Sequence, residues 1–206
     1  TRAKTLLAEI SARNERYDEA IAYFRDIPKD DEFFTSARRN IADLLHEQER
    51  SDEAIEELKL LVQEFEDVDA QIQIGNVHRI NEDFGKAIKA YNKAEKMIGD
   101  PGEPFWHLYY VRGMSYEQND QWDQAEEDLK QALEFRHDHP YILNYLGYAW
   151  ADQGKNLEEA LEMIKKAVAL RPGDGNITDS LGWVYYRRGR YKEAVPYLEQ
   201  AVELMP

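Results

Sequence analysis

His137 and His139 stand two residues apart in the stretch HDHP, a pair of imidazoles that invites a test for metal binding. Zinc takes three or four ligands at matched spacing. The chain has no cysteine, and its other histidines, His46, His78 and His107, stand far off in sequence. HDHP therefore reads as a surface turn. The stretch GDGNITD from Gly173 mixes acids with glycines, as phosphate or cation loops do. It lies between two helical patterns, where Asp174 or Asn176 serves as a helix cap. The carboxylate pair Glu158–Glu159 begins a helical pattern, where negative charge complements the helix dipole. No P-loop, nucleophile elbow, zinc-protease or EF-hand motif occurs. The expectation is no catalytic residue, no metal, no cofactor and no enzyme activity. What remains is the chemistry of recognition: the second half of the chain is dense in Tyr, Trp, Met and Asn. These side chains give rigid contact area and amide hydrogen bonds.

Bulk properties bound the partner. The 206 residues include 26 basic and 41 acidic side chains, for a net charge of −15. The acidity is spread along the chain: residues 1–105 hold 15 basic and 24 acidic groups, residues 106–206 hold 11 and 17. A polyanion is repelled on average and no Lys/Arg cluster offers an exception, so nucleic acid is not expected. No apolar run reaches the 18 or so residues that span a bilayer, so no membrane insertion is expected of this segment. No signal peptide is visible, and the sequence opens at Thr1 already in a helical pattern. It reads as a fragment or processed form of a larger protein.

The elements that must position these residues appear on alignment of the chain with itself. LGYAWADQGKNLEEA from Leu146 and LGWVYYRRGRYKEA from Leu181 say nearly the same thing 35 residues apart. Ala20, Ala54, Ala87, Ala125, Ala160 and Ala194 form one column, with spacings of 34, 33, 38, 35 and 34. Twelve residues upstream of each (thirteen in the fifth) is another small residue: Ala8, Ala42, Gly75, Gly113, Gly147 and Gly182. Seven downstream stand Ile27, Leu61, Ala94, Ala132, Ala167 and Ala201. Around these columns run two amphipathic helical patterns per unit. In the last unit they are carried by Ile177, Leu181, Val184 and Tyr185, and then by Ala194, Leu198, Ala201 and Val202. Gly154 and Gly189 are placed to end first helices. Two helices pack closely only where small side chains let their backbones cross, so the repeated phrase solves a repeated packing problem.

This pattern resembles the tetratricopeptide repeat, with Gly or Ala at the eighth position and Ala at the twentieth in all six units. The twenty-fourth position is filled by Phe24, Leu58, Tyr91, Leu129, Met163 or, allowing for the extra residue, Ile164, and Leu198. The resemblance implies an all-α, right-handed superhelical solenoid of about six helix–turn–helix units: 1–34, 35–67, 68–105, 106–139, 140–174 and 175–206. They are read as one array over 1–206. The prolines and glycines of GDPGEP, Gly99 to Pro104, forbid continuous helix there; the stretch reads either as an ordinary inter-repeat loop or as a hinge between two three-repeat halves. With no polar helix after the last unit, Val195, Val202 and Met205 are expected to be partly uncapped.

In this family the first helices line a concave groove through repeat positions two, five, nine and twelve. Carried over, those positions name Arg39, Asp43 and His46, with Asn40 beside them; Ile72, Asn76 and Arg79; His107, Tyr110, Met114 and Glu117; Tyr141, Asn144 and Tyr148; Asp179, Trp183 and Tyr186. The implied binding set is Arg39, Asn40, Asn76, Arg79, Tyr110, Met114, Asn144, Tyr148, Trp183 and Tyr186. The alternative reading is that some of these aromatics pack between neighbouring first helices. Trp183, as a groove residue, is expected to add little to the core. Binding in the aromatic half is expected to depend weakly on salt. The carboxylate clamp of some co-chaperones is absent: Thr5, Glu9, Asn40, Asp69 and Gln73 stand at its positions. The expected function is a non-catalytic scaffold or adaptor for a protein or peptide partner. The stretch from Tyr141 to Pro206 resembles the arrays of bacterial envelope proteins, some of them lipoprotein adaptors. That implies the periplasm or cell envelope, with the cytoplasm as the alternative. Competing readings are a substrate-presenting arm of an enzyme such as a glycosyltransferase, and a scaffold that self-assembles into homo-oligomers through its ends.

Overall fold

The structure is a computed structural model that describes residues 1–99, 102 and 105–205. Among the described residues there are twelve α-helices and no strand, joined as six helical hairpins. These are α1 (Arg2–Arg13) with α2 (Tyr17–Arg25), α3 (Phe34–Glu47) with α4 (Ser51–Phe65), and α5 (Val68–Ile80) with α6 (Phe84–Ile98). There follow α7 (Trp106–Gln118) with α8 (Trp122–Phe135), α9 (Pro140–Asp152) with α10 (Leu157–Leu170), and α11 (Gly175–Arg187) with α12 (Tyr191–Leu204). Each hairpin falls within one expected repeat, except that α3 starts one residue early, at Phe34.

The hairpins form two compact units, Thr1–Pro101 and Gly102–Pro206. The division falls inside GDPGEP. The choice between loop and hinge there rests on Asp100, Pro101, Glu103 and Pro104, which lie outside the described residues.

The small-residue columns mark the helix crossings. Ala8, Ala20, Ala42, Ala54, Ala87, Ala125 and Ala160 are fully buried, and Ala194 nearly so. A Cβ on Gly75 would stand 2.3 Å from the Tyr91 ring, and one on Gly182 2.5 Å from Leu198 Cδ2. The large residue at the twenty-fourth position thus fills the space that the small residue at the eighth leaves open. In the fifth hairpin the residue that does so is Ile164, which a Cβ on Gly147 would meet at 2.8 Å. The first unit's core gathers Phe24, Ile41, Leu45, Leu58 and Leu61; the second's gathers Leu129, Leu146, Trp150, Ile164 and Val184.

The turns inside the hairpins share one backbone state. Gly154 and Gly189 are left-handed, at φ 69° and 72°, as their position after a first helix demands. The same position in the other four hairpins is also left-handed, but holds Glu15, Glu49, Glu82 and Asp120. The extra residue of the fifth turn is absorbed at Asn156, which stands just before α10 at φ 44° without a side-chain capping bond, a conformation that Asn tolerates better than most residues.

Candidate partner-binding surface

Three first helices, α7, α9 and α11, present side chains in the second unit, and two cross-helix contacts fix their order. Tyr145 on α9 donates its hydroxyl to Glu117 on α7 at 3.0 Å. Arg187 on α11 reaches Asp152 on α9, 3.6 Å from the carboxylate and hydrogen-bonded to the backbone oxygen. Between these contacts lies an aromatic row. Tyr148 is 41% exposed and Tyr186 48% exposed. Trp183 stacks on Tyr186 at 5.4 Å, and Tyr186 meets Tyr191 at 5.4 Å. Tyr110 stands edge-on to Tyr145 at 6.1 Å. Met114 and Asn144 are half-buried.

The electrostatics of this face are negative. Burial raises the Tyr148 phenol above the ordinary tyrosine pKa, and the charges of Asp152, Asp179 and Glu117 raise it further. Burial, with the adjacent Glu117 carboxylate, also pushes the Tyr145 phenol up, so it stays a neutral donor. Two polar atoms of the row, Asn144 Oδ1 and Trp183 Nε1, are buried without a hydrogen-bond partner.

The aromatics divide between the two readings left open by sequence. Tyr148 and Tyr186 are solvent-facing. Trp183 and Tyr110 are half-buried and pack against the core built on Leu146, Leu181 and Val184. Trp183 therefore does contribute to the core, contrary to expectation: its indole is too large for the surface alone to hold. His139 is also no simple surface turn residue. It packs at 4.3 Å from Trp106, and burial, with nearby Arg136, lowers its pKa.

In the first unit the polar candidates are mostly occupied within the chain. Arg39 pairs with Asp67, which also caps α5 by accepting from the Ala70 amide at 2.8 Å. Gln73 donates to the Arg39 carbonyl at 3.0 Å and to Asp43. Asn76 accepts from the Tyr91 hydroxyl at 2.8 Å. Ile72, assigned to the groove face by repeat position, is buried in the core at 3% exposure. Asn40 is exposed beside a shallow pocket with Glu9, Arg13 and Asp43. Arg79 is half-buried, with its Nε unpartnered. Among the described residues, no group of three or more His, Asp or Glu is placed to hold a metal ion. No described helix is long and apolar enough to cross a membrane.

Family models described as tetratricopeptide repeat match residues 68–100, 110–175 and 154–206. The chain belongs to the tetratricopeptide repeat family. It is 33% identical over 175 residues to a TPR repeat-containing protein of Pseudomonas aeruginosa, a match that covers 84% of this chain and 29% of that relative's length. Among solved structures, MamA from Desulfovibrio magneticus RS-1 superposes with a TM-score of 0.70 at 23% identity, over 82% of this chain and 94% of that one. YrrB, described as a TPR protein with an unusual peptide-binding site, superposes with a TM-score of 0.65 at 20% identity, over 92% of each chain.

Within this tetratricopeptide array, repeat position alone does not reveal the buried ion pair behind α7. Arg112 Nε and Nη2 donate to the two oxygens of Asp128 at 2.7 and 2.8 Å, and both side chains are 7% exposed. The available signal was an arginine directly before the crossing glycine Gly113, with Asp128 three residues after the partner column's Ala125. Tyr145 and Tyr191 were also missed, because neither occupies a family groove position.

Proposed function

We propose that this tetratricopeptide array is a protein-interaction scaffold, and that an extended partner segment lies along the first helices of the Gly102–Pro206 unit. One observation carries the reading. Tyr148 and Tyr186, on the first helices of successive hairpins, hold large aromatic rings at a surface where burial would be worth about 25 cal/mol per Å² of apolar area. Unpaired Asn144 Oδ1 and Trp183 Nε1 add hydrogen-bonding capacity on the same helices, reachable once a side chain turns toward a partner backbone. The peptide-binding site named for the structural relative YrrB agrees with this use of the fold. We also place the scaffold in a bacterial cell envelope, on the resemblance of the stretch from Tyr141 to Pro206 to envelope arrays; fractionation of cells making the full-length protein tests that.

The test is selection of binding peptides from a random display library with the purified chain, followed by calorimetry. Tyr148→Ala and Tyr186→Ala are the clean probes, since Trp183 also packs into the core. Each is expected to cost about 1–2 kcal/mol of affinity, with an unchanged melting temperature for Tyr148→Ala and a small drop for Tyr186→Ala, whose ring stacks on Trp183. Wild-type affinity in both variants would move binding off this face.

A further inference from the structure

The first helices of the second unit are nearly free of available cations. α9 contains no Lys or Arg. On α7, Arg112 is buried against Asp128. On α11, Arg187 is engaged by Asp152. The lysines of this unit's helices lie on the second helices: Lys130 on α8, Lys165 and Lys166 on α10, and Lys192 on α12. Among the described residues, neither Glu117 nor Asp179 has a cationic partner: the unit's ion pairs involve other acids. Several aromatic rings elsewhere in the unit, though not the exposed Tyr186 and Tyr191, carry a cation of the chain itself. Arg136 lies 5.7 Å over Trp106, Arg171 5.4 Å over Tyr141, Arg187 5.6 Å over Trp183 and Arg190 5.1 Å over Tyr185. Tyr148 is exposed on α9, which touches α7 through Tyr145 and Glu117 and touches α11, the helix of Asp179, through Asp152 and Arg187; its ring carries no cation among the described residues.

We infer that the partner segment is basic, and that one of its lysine or arginine side chains lies over the Tyr148 ring between Glu117 and Asp179. A cation there meets the negative face of the phenol and two carboxylates that lack a counter-charge. An acidic segment meets repulsion from the same groups, and a neutral one leaves them unmatched. This rests on the groove reading above and narrows it to one partner chemistry. It also reverses the expectation of weak salt dependence in the aromatic half, because repeat position did not show that Glu117, though hydrogen-bonded by Tyr145, and Asp179 have no counter-charge among the described residues.

The probes are fluorescein-labelled peptides of about ten residues that alternate alanine with lysine, with glutamate or with serine. The expected result is binding of the lysine peptide, weakened several-fold between about 50 and 300 mM salt. NMR shifts should centre on Glu117, Tyr148 and Asp179. Glu117→Gln with Asp179→Asn should lower affinity about tenfold, and Tyr148→Leu about fivefold. A control of equal charge on exposed second-helix sites, Glu159→Gln with Glu199→Gln, should stay within about twofold. Equal losses in the control pair, or no loss in Tyr148→Leu, would overturn the inference as mere attraction to an acidic surface. If the serine or glutamate peptide shifts the same first-helix residues instead, the groove reading stands and the basic partner falls. Shifts confined to α8, α10 and α12 would overturn both.

Discussion

Gly147→Ala adds one carbon where α9 crosses α10. The new Cβ would stand 2.8 Å from Ile164 Cγ1 and 3.1 Å from the carbonyl oxygen of Ala160. Ile164 is fully buried, so it has no solvent to turn into. The Ala160 oxygen belongs to a helix backbone and moves only if α10 moves. Overpacking of this kind costs about 1–3 kcal/mol, offset by up to about 1 kcal/mol because Ala favours helix over Gly. A rigid backbone oxygen and a fully buried side chain put the cost in the upper part of that range, so the net loss is about 1–2 kcal/mol, or roughly 5–15 °C in melting temperature for a unit of this size. Gly85→Ala is the matched control. It adds the same carbon to α6, where nothing lies within 4 Å, so only the helical preference remains, stabilising by about 0.5–1 kcal/mol. The four tryptophans, Trp106, Trp122, Trp150 and Trp183, all belong to the second unit. Tryptophan fluorescence thus follows Gly147→Ala in its own unit, while circular dichroism at 222 nm follows helix in both and reads Gly85→Ala. Opposite signs are the expected outcome. A fluorescence melt of Gly147→Ala that overlays wild type would show that the α9–α10 crossing is looser than its geometry implies.

Three further predictions follow from the same packing and charge. Asp128→Ala leaves Arg112 buried without its carboxylate and should cost about 3–5 kcal/mol in denaturant melts, whereas Arg112→Met with Asp128→Leu should recover most of that loss. Glu82→Gly relieves a left-handed residue at an exposed turn and should raise stability by up to about 1 kcal/mol, since the strain removed outweighs the chain entropy added. Burial, with Arg136, lowers the His139 pKa below the ordinary value of 6.5, so the unfolded chain takes up this proton more readily than the folded one. The stability held by neutral His139 is present above that value and is lost as pH falls through the folded pKa. The melting temperature should drop less between about pH 7.5 and pH 5 in His139→Asn than in wild type.

The hairpins were legible because their constraint is steric and repeats. A small side chain is needed wherever two helices cross, so Ala8 through Gly182 mark six first helices in one column, and Ala20 through Ala194 mark six partners. The left-handed turn was legible only where it was written as glycine, at Gly154 and Gly189. Glu15, Glu49, Glu82 and Asp120 adopt the same conformation because the flanking helices impose it, and that compulsion leaves no residue-type signal. The candidate surface was legible by position and not by state. Repeat register assigned Tyr148, Tyr186 and Ile72 to the groove face; the two tyrosines are exposed and Ile72 is buried. Nor did register reveal that Trp183 is shared with the core. Register fixes which way a Cα–Cβ bond points; how far a long side chain folds back depends on neighbours from another repeat.

The same limit explains why the two units differ in what they offer a partner. In the first, polar residues of the first helices are already engaged within the chain, some inside one repeat and some across two. Arg39 closes on Asp67, Gln73 on Asp43 and the Arg39 carbonyl, and Asn76 on Tyr91. A partner that claims those groups must first break contacts the fold already has, so the exchange gains little. In the second unit several of the corresponding positions hold aromatics, and the rings of Tyr148 and Tyr186 end in solvent. The acids beside them, Glu117 and Asp179, have no cation of the chain to satisfy them. A repeat scaffold keeps its core by holding the crossing residues constant, and it acquires specificity by leaving some first-helix positions unanswered. Here what is left open is an exposed phenol and two carboxylates without a counter-charge, and a lysine or arginine side chain complements both.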